Sequence, residues 1–168
     1  SNHLQELYYG GWVAPRIYYL GNSGVINYRG IRIAGLSGIY KSHDYRKGNF
    51  ERAPYDRASM RSVYHVRELD VHKLGQLRGP IDIFLSHDWP QGIEQYGNTQ
   101  ELLRKKKYFE REIRTNTLGS PPNMQLLRRL RPAFWFSAHL HVKFSAIVRH
   151  ADKKTGACPR CVEGDGSV

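Results

Sequence analysis

Two apolar, β-rich runs in this chain end in histidine. Ile81-Asp82-Ile83-Phe84-Leu85 leads into Ser86-His87-Asp88, and Ala133-Phe134-Trp135-Phe136 leads into Ser137-Ala138-His139-Leu140-His141. The segments between them space their apolar residues as helices do, so strands alternate with helices and the chain reads as an α/β fold. Open α/β sheets collect ligands beyond the carboxyl ends of their strands. Two strands ending in histidine therefore put imidazoles on what can be one rim. If "FSAHLHVKF" continues as a strand, alternation turns His139 and His141 to one side and Leu140 to the other. Three neutral imidazoles suit Zn, Fe or Mn, and such ions polarise phosphoryl oxygens and acidify bound water. The bland alternative is a wet strand face on which histidines only hydrogen-bond.

Other elements are legible along the chain. Ser1-Asn2 reads as the cap of a short helical turn through Leu7, because a side-chain oxygen there accepts a free backbone N–H. Tyr8 to Pro15 reads as a loop and Ile17 to Leu20 as a strand. Val25–Tyr28 and Ile31–Gly35, joined by Arg29-Gly30, read as a hairpin. The apolar spacing predicts helices over Val63–Leu77, Asn98–Arg114 and Asn123–Leu130, the last after Pro121-Pro122. Val142 to Val148 reads as one more strand. No segment approaches the ~18 apolar residues that a membrane span needs, and no internal repeat occurs. Ser1 is followed by neither the basic nor the apolar region of a signal peptide.

Residues 40–61 stand apart. "KSHDYRKGNFERAPYDRASMR" has charges and aromatics but little apolar periodicity, and structureless stretches that long are usually functional or disordered. The 168 residues carry 26 Lys+Arg against 15 Asp+Glu, a formal charge of +11. Such a field draws polyanions, nucleic acid first and acidic membrane surfaces second. Lys41, Arg46, Lys47, Arg52 and Arg61 can meet phosphates, while Tyr45, Phe50 and Tyr55 can stack on bases. The alternative is a solvated loop. Arg104 to Lys107 reads as a solvated helix face that adds to RNA attraction. Only Cys158 and Cys161 occur, which suits a reducing cytosolic or nuclear setting. One C-x₂-C pair makes at most half a tetrahedral zinc site. The segment 151–168 is polar and Gly-rich, and reads as a disordered tail.

A hydrophobic strand ending in S-H-D, followed about fifty residues later by A-H-L-H, resembles the second half of the calcineurin-like metallophosphoesterases. "SNHLQEL", "GGWVAP", "IYYLG", "KSHDYRKG", "YHVRELD", "DIFLSHDWP", "NTLGSP" and "FSAHLHVKF", in that order, resemble the lariat-debranching family in particular, from Ser1 to about His150. Ala138 stands where most of the superfamily has Gly, as in the debranching family itself. The resemblance implies a metallophosphoesterase four-layered α/β sandwich with one or two divalent metals, Mn, Fe or Zn. It implies hydrolysis of the 2′-5′ phosphodiester at the branch point of excised intron lariats, in mRNA processing and intron turnover in the nucleus. Branched lariat RNA is the implied partner; no membrane and no obligate protein partner are expected.

By the same resemblance, His87 and His139 ligate one metal and His141 the other; Asp88, from its place directly after His87, is expected to orient an imidazole from behind. Residues 40–64 take the place of a lariat-recognition loop, with Lys41, His43, Tyr45, Arg46, Lys47, Tyr64 and Arg67 as the RNA-binding residues. The superfamily's first-half motifs, a D-x-H-like motif, a G-D aspartate and G-N-H-E, are not in this chain. Asn2-His3 is not that Asn-His pair; capping and packing are the roles expected of it. The expectation is therefore residues 1–150 as the C-terminal part of a catalytic domain, incomplete as it stands, which leaves apolar sheet surface bare. Activity is expected of the complete protein and not of these residues alone. Two other readings remain, a general metallonuclease and a non-catalytic RNA-binding fragment.

Overall fold

The computed structural model describes Leu4 and residues 6–150. The expected cap at Ser1-Asn2, His3, and the tail with Cys158 and Cys161 lie outside the described residues. Among the described residues, six strands and six α-helices form a mixed α/β arrangement. The strands are β1 (Gly11–Ala14), β2 (Ile17–Tyr19), β3 (Ser23–Tyr28), β4 (Ile31–Leu36), β5 (Ile83–Ser86) and β6 (Phe134–Ser137). The helices are α1 (Ser42–Tyr45), α2 (Ser59–Ser62), α3 (Glu68–Gly75), α4 (Thr99–Lys105), α5 (Glu110–Arg114) and α6 (Pro121–Leu130).

The hairpin forms where expected. Arg29 and Gly30 both take positive φ, 52° and 87°, the geometry of a turn whose twist matches its strands. Asn27 Oδ1 accepts from the Gly30 N–H at 2.9 Å. Strand order is β3-β4-β5-β6, with β3 antiparallel to β4 and the pairs β4/β5 and β5/β6 parallel. Alternation sends Ala34, Leu36 and Phe84 to one face, where they meet Val71, Leu74 and Leu126 from α3 and α6. Phe84 stacks on Trp135 with ring centroids 4.0 Å apart.

The opposite face of this sheet is bare. Tyr28, Ile31, Leu85, Phe134 and Phe136 all stand exposed, and register places Leu85 beside Phe136 and Ile83 beside Phe134. Water-facing apolar surface of this extent is unusual in a monomer. Among the described residues there are thus a two-stranded sheet, β1-β2, and a four-stranded sheet with helices packed on one face. The further layers of a metallophosphoesterase sandwich are not among the described residues.

Five expectations are corrected. The Val63–Leu77 helix begins only at Glu68, because Val66 and His65 run extended alongside Ile39: Ile39 N–H donates to Tyr64 O and Val66 N–H to Ile39 O. Val66 is buried all the same, in the cluster with Leu36, Val71 and Leu74, and so it mimicked a helical apolar position. The Asn98–Arg114 helix is broken at Lys106 (φ −137°, ψ 69°), with a 3₁₀ turn before α5. Residues 8–15 contain a strand, β1, paired with β2 and fastened by the Trp12–Tyr18 ring contact at 5.3 Å. Val142–Val148 is extended but pairs only through the single bridge Gly97–Ala146. The third helix gains one turn-fraction at its start: Ser120 caps it, accepting from Asn123 N–H at 3.4 Å, with Pro121 in the first turn. Proline fits there, since the first N–H groups of a helix have no partner within it.

Candidate metal centre

Parallel pairing brings the carboxyl ends of β4, β5 and β6 to one rim, with Leu36, Ser86 and Ser137 level in the register. Ser86 and Ser137 hydroxyls lie 2.9 Å apart, and Trp135 Nε1 donates to both. One residue beyond Ser86 stands His87, and two beyond Ser137 stands His139. Ala138 N–H donates to His87 O at 3.0 Å and Trp89 Nε1 to Ala138 O at 2.9 Å, which welds the two strand ends together.

His87 Nε2 and His139 Nδ1 face each other at 2.9 Å. Two imidazole nitrogens this close need a shared proton or a cation between them. Metal–nitrogen bonds of about 2.1 Å at right angles put two donors about 3 Å apart, so the pair fits a divalent ion as well as it fits a hydrogen bond. His139 Nε2 looks the other way, toward Asp88 Oδ1 at 3.8 Å. A ligating imidazole backed by a carboxylate on its second nitrogen keeps its tautomer and orientation. Asp88 is itself buried, and its Oδ2 accepts from the Tyr40 N–H at 2.7 Å.

His141 is placed differently. β6 stops at Ser137, and His139 and His141 both take left-handed backbone, φ 61° and 49°. Leu140, Val142 and Phe144 turn inward onto the Trp89–Leu102–Phe109–Leu118 cluster, which keeps His139, His141 and Lys143 on the outward side. His141 is exposed, and the close contact at the rim is between the other two histidines. Left-handed conformations in non-glycine residues cluster at functional sites.

The loop flanks this rim at both ends. A cleft of about 710 Å³ runs between His87, Ser37, Gly38 and Tyr64. A second, of about 440 Å³, lies between His139, Asp88, Tyr40 and Lys41. Lys41, His43, Arg46 and Lys47 are exposed, and Tyr64 is half exposed. Tyr45 is partly buried against Tyr40 at 5.5 Å, and burial first, then Glu68 and Tyr40, raises its phenol pKa. Phe50 is exposed, whereas Tyr55 is only partly so.

Arg67 corrects the expectation that placed it among RNA-facing residues. It is 1 % exposed. Its guanidinium donates to the Glu51 carboxylate and, at 3.0 Å, to the carbonyls of Asp44 and Ser62. The side chain is a strut inside the loop. Sequence reading also missed Glu51, whose carboxylate takes both Arg67 and the Ser62 hydroxyl. The only signal was an acidic residue in a basic stretch.

No family model matches the chain. Relatives do. The lariat debranching enzyme of Homo sapiens is 60% identical over 163 residues, which is 97% of this chain and 30% of the relative. That of Danio rerio is 61% identical over 157 residues, 94% of this chain and 28% of the relative. That of Arabidopsis thaliana is 55% identical over 168 residues, 98% of this chain and 40% of the relative. The chain thus spans about three tenths to two fifths of the length of these relatives, and the aligned part contains the rim histidines and the loop. Over that part, this chain is similar to the lariat debranching enzymes.

Proposed function

We propose that in the complete protein these residues serve metal-dependent hydrolysis of the 2′-5′ phosphodiester at the branch point of intron lariats, in the nucleus. The single observation that carries this reading is the His87–His139 pair at 2.9 Å on the strand-end rim, with Tyr64 lining the cleft on the His87 side and Lys41 the cleft on the His139 side. His87 Nε2 and His139 Nδ1 are the donors for a divalent ion, with Mn, Fe and Zn all compatible with nitrogen ligands, and His141 is a donor toward a second ion. When bound, such an ion supplies Lewis-acid polarisation of a phosphoryl oxygen and a more acidic water.

The remaining work falls to the chain. Asp88 faces the second nitrogen of His139 and ties down the start of the loop through Tyr40. Lys41, Arg46 and Lys47 attract and position phosphates, and Tyr64 offers a ring face for an unstacked base. The +11 charge of the chain steers RNA toward this side chain set. No helix of the described residues is long and apolar enough to cross a membrane.

The test is cleavage of a 2′-5′ branched oligonucleotide by the intact gene product with Mn²⁺ or Fe²⁺ present. His139→Ala and His141→Ala each abolish it under this reading. Equal rates on linear 3′-5′ RNA would replace it with a general metallonuclease. Salt-sensitive RNA binding with no bound metal and no cleavage would replace it with a non-catalytic RNA-binding role.

A further inference from the structure

Away from the rim, a second group of metal-type donors closes the base of the loop. His43 and Asp44 come from α1, near the start of residues 40–64, and His65 directly follows its end. The three ligand atoms lie within 4.8 Å of one another. Asp44 Oδ2 is 2.7 Å from His65 Nδ1 and 3.3 Å from His43 Nε2. Around a tetrahedral zinc-class ion, nitrogen and oxygen donors stand about 3.3 Å apart. The observed spacing is therefore within a small rotation of a ligand set.

Burial and anchoring argue the same way. Asp44 is 4 % exposed, and its backbone carbonyl is held by Arg67. Its other oxygen accepts from Lys47 Nζ at 2.8 Å. His65 is brought up by its pairing with Ile39. His43 is the open side of the group, its side chain 67% exposed, which leaves a path for entry and a fourth position for water. Two imidazoles and a carboxylate are a donor set of borderline softness, suited to Zn²⁺, Co²⁺ or Ni²⁺ rather than to Mg²⁺ or Ca²⁺.

We infer that His43, Asp44 and His65 bind one zinc-class divalent ion that clips the start of the 40–64 loop to its end. With the ion on Nδ1 of His65, the ring's single proton sits on Nε2. The clip closes a loop of some twenty residues, so it removes chain entropy that the loop otherwise keeps. This site is independent of the rim pair and of the reaction proposed for it.

The experiment is Zn²⁺ titration of the metal-stripped chain against a chromophoric chelator, in a His139→Ala background that removes the rim pair. One ion is taken up, Co²⁺ in its place gives a tetrahedral d–d band, and cleavage by trypsin at Arg52 and Arg61 slows on binding. His43→Ala removes an exposed donor without opening the core, and Asp44→Asn keeps the shape of its side chain. Each lowers the affinity at least tenfold and cancels the protection. Should His139→Ala fail to fold, the same comparison in the otherwise unaltered chain loses one bound ion on His43→Ala. Zn²⁺ uptake and trypsin protection indifferent to His43→Ala, or no uptake at all, would overturn the inference and leave the group as hydrogen bonds alone.

Discussion

The backbone N–H of Tyr40 donates to the carboxylate of Asp88 at 2.7 Å, although the two residues are 48 positions apart. The loop thus begins on the residue that follows the rim histidine His87. Asp88→Ala leaves that buried N–H without a partner, which costs about 1–3 kcal/mol. Urea denaturation measures it. A loss under 0.5 kcal/mol would show that the loop holds its place without this tie.

Glu51 and Arg67 form a buried pair inside the loop, each only a few per cent exposed. Removing one partner strands a charge, so Glu51→Leu or Arg67→Met each costs about 3–5 kcal/mol. The double variant recovers most of that loss, because neither charge is then buried. Denaturation of the two single variants and the double variant, read as a cycle, gives the coupling.

Asp44 carries a pH dependence. The Lys47 hydrogen bond, opposed by burial and helped by His65 and His43, lowers its pKa to about 2. An unfolded aspartate titrates near 3.9. A carboxylate depressed on folding contributes stability that is present above the unfolded pKa and lost as pH falls toward 2. Stability should therefore fall between pH 5 and pH 2, and Asp44→Asn should flatten that part of the curve.

Glu94 runs the other way. It is fully buried, neither carboxylate oxygen has a hydrogen-bond partner, and burial raises its pKa. Folding then favours the protonated form, so this group's contribution worsens as pH rises above the unfolded value near 4.3. Glu94→Met is expected to stabilise the chain at pH 7 more than at pH 4. Equal effects at both pH values would show that Glu94 is charged in the fold.

How much of this could be read in advance depends on the range of the interaction. The Arg29-Gly30 turn, the Pro121-Pro122 helix start and the two histidine-ended strands each declare themselves within a few residues. The break at Lys106 does not, because Arg104 to Lys107 contains no glycine or proline to mark it. The late start of α3 was hidden for another reason: Val66 joins the core while its backbone runs extended beside Ile39, and burial from an extended segment looks the same as burial on a helix. Long-range charge pairing was beyond sequence pattern altogether. Nothing in "YHVRELD" says that Arg67 finds Glu51 sixteen residues upstream, or that His65 returns to Asp44. At the rim, sequence pattern led to the His87–His139 pair, but not to the left-handed turn that sets His141 apart.

The bare sheet face makes a prediction about the chain by itself. Leu85, Phe134 and Phe136 present adjoining apolar surface to water. Sedimentation of the purified chain should show concentration-dependent self-association, and Phe136→Lys should reduce it without lowering stability, since that side chain is already 56% exposed. A chain that stays monomeric at every concentration would show that this surface has no appetite for itself.

The in-step register of β4, β5 and β6 turns residue counting into position. A residue added within 134–137 would advance His139 by about 3.3 Å and turn the residues after it to the opposite face. His87 and His139 could then no longer meet. A residue added within 52–58, past the buried Glu51, would only lengthen a connection whose ends are fixed at Glu51 and His65. Length is therefore rationed in the strands and free in the loop, so this part of the molecule can lengthen or shorten what it presents to a ligand while leaving untouched the pair that would act on it.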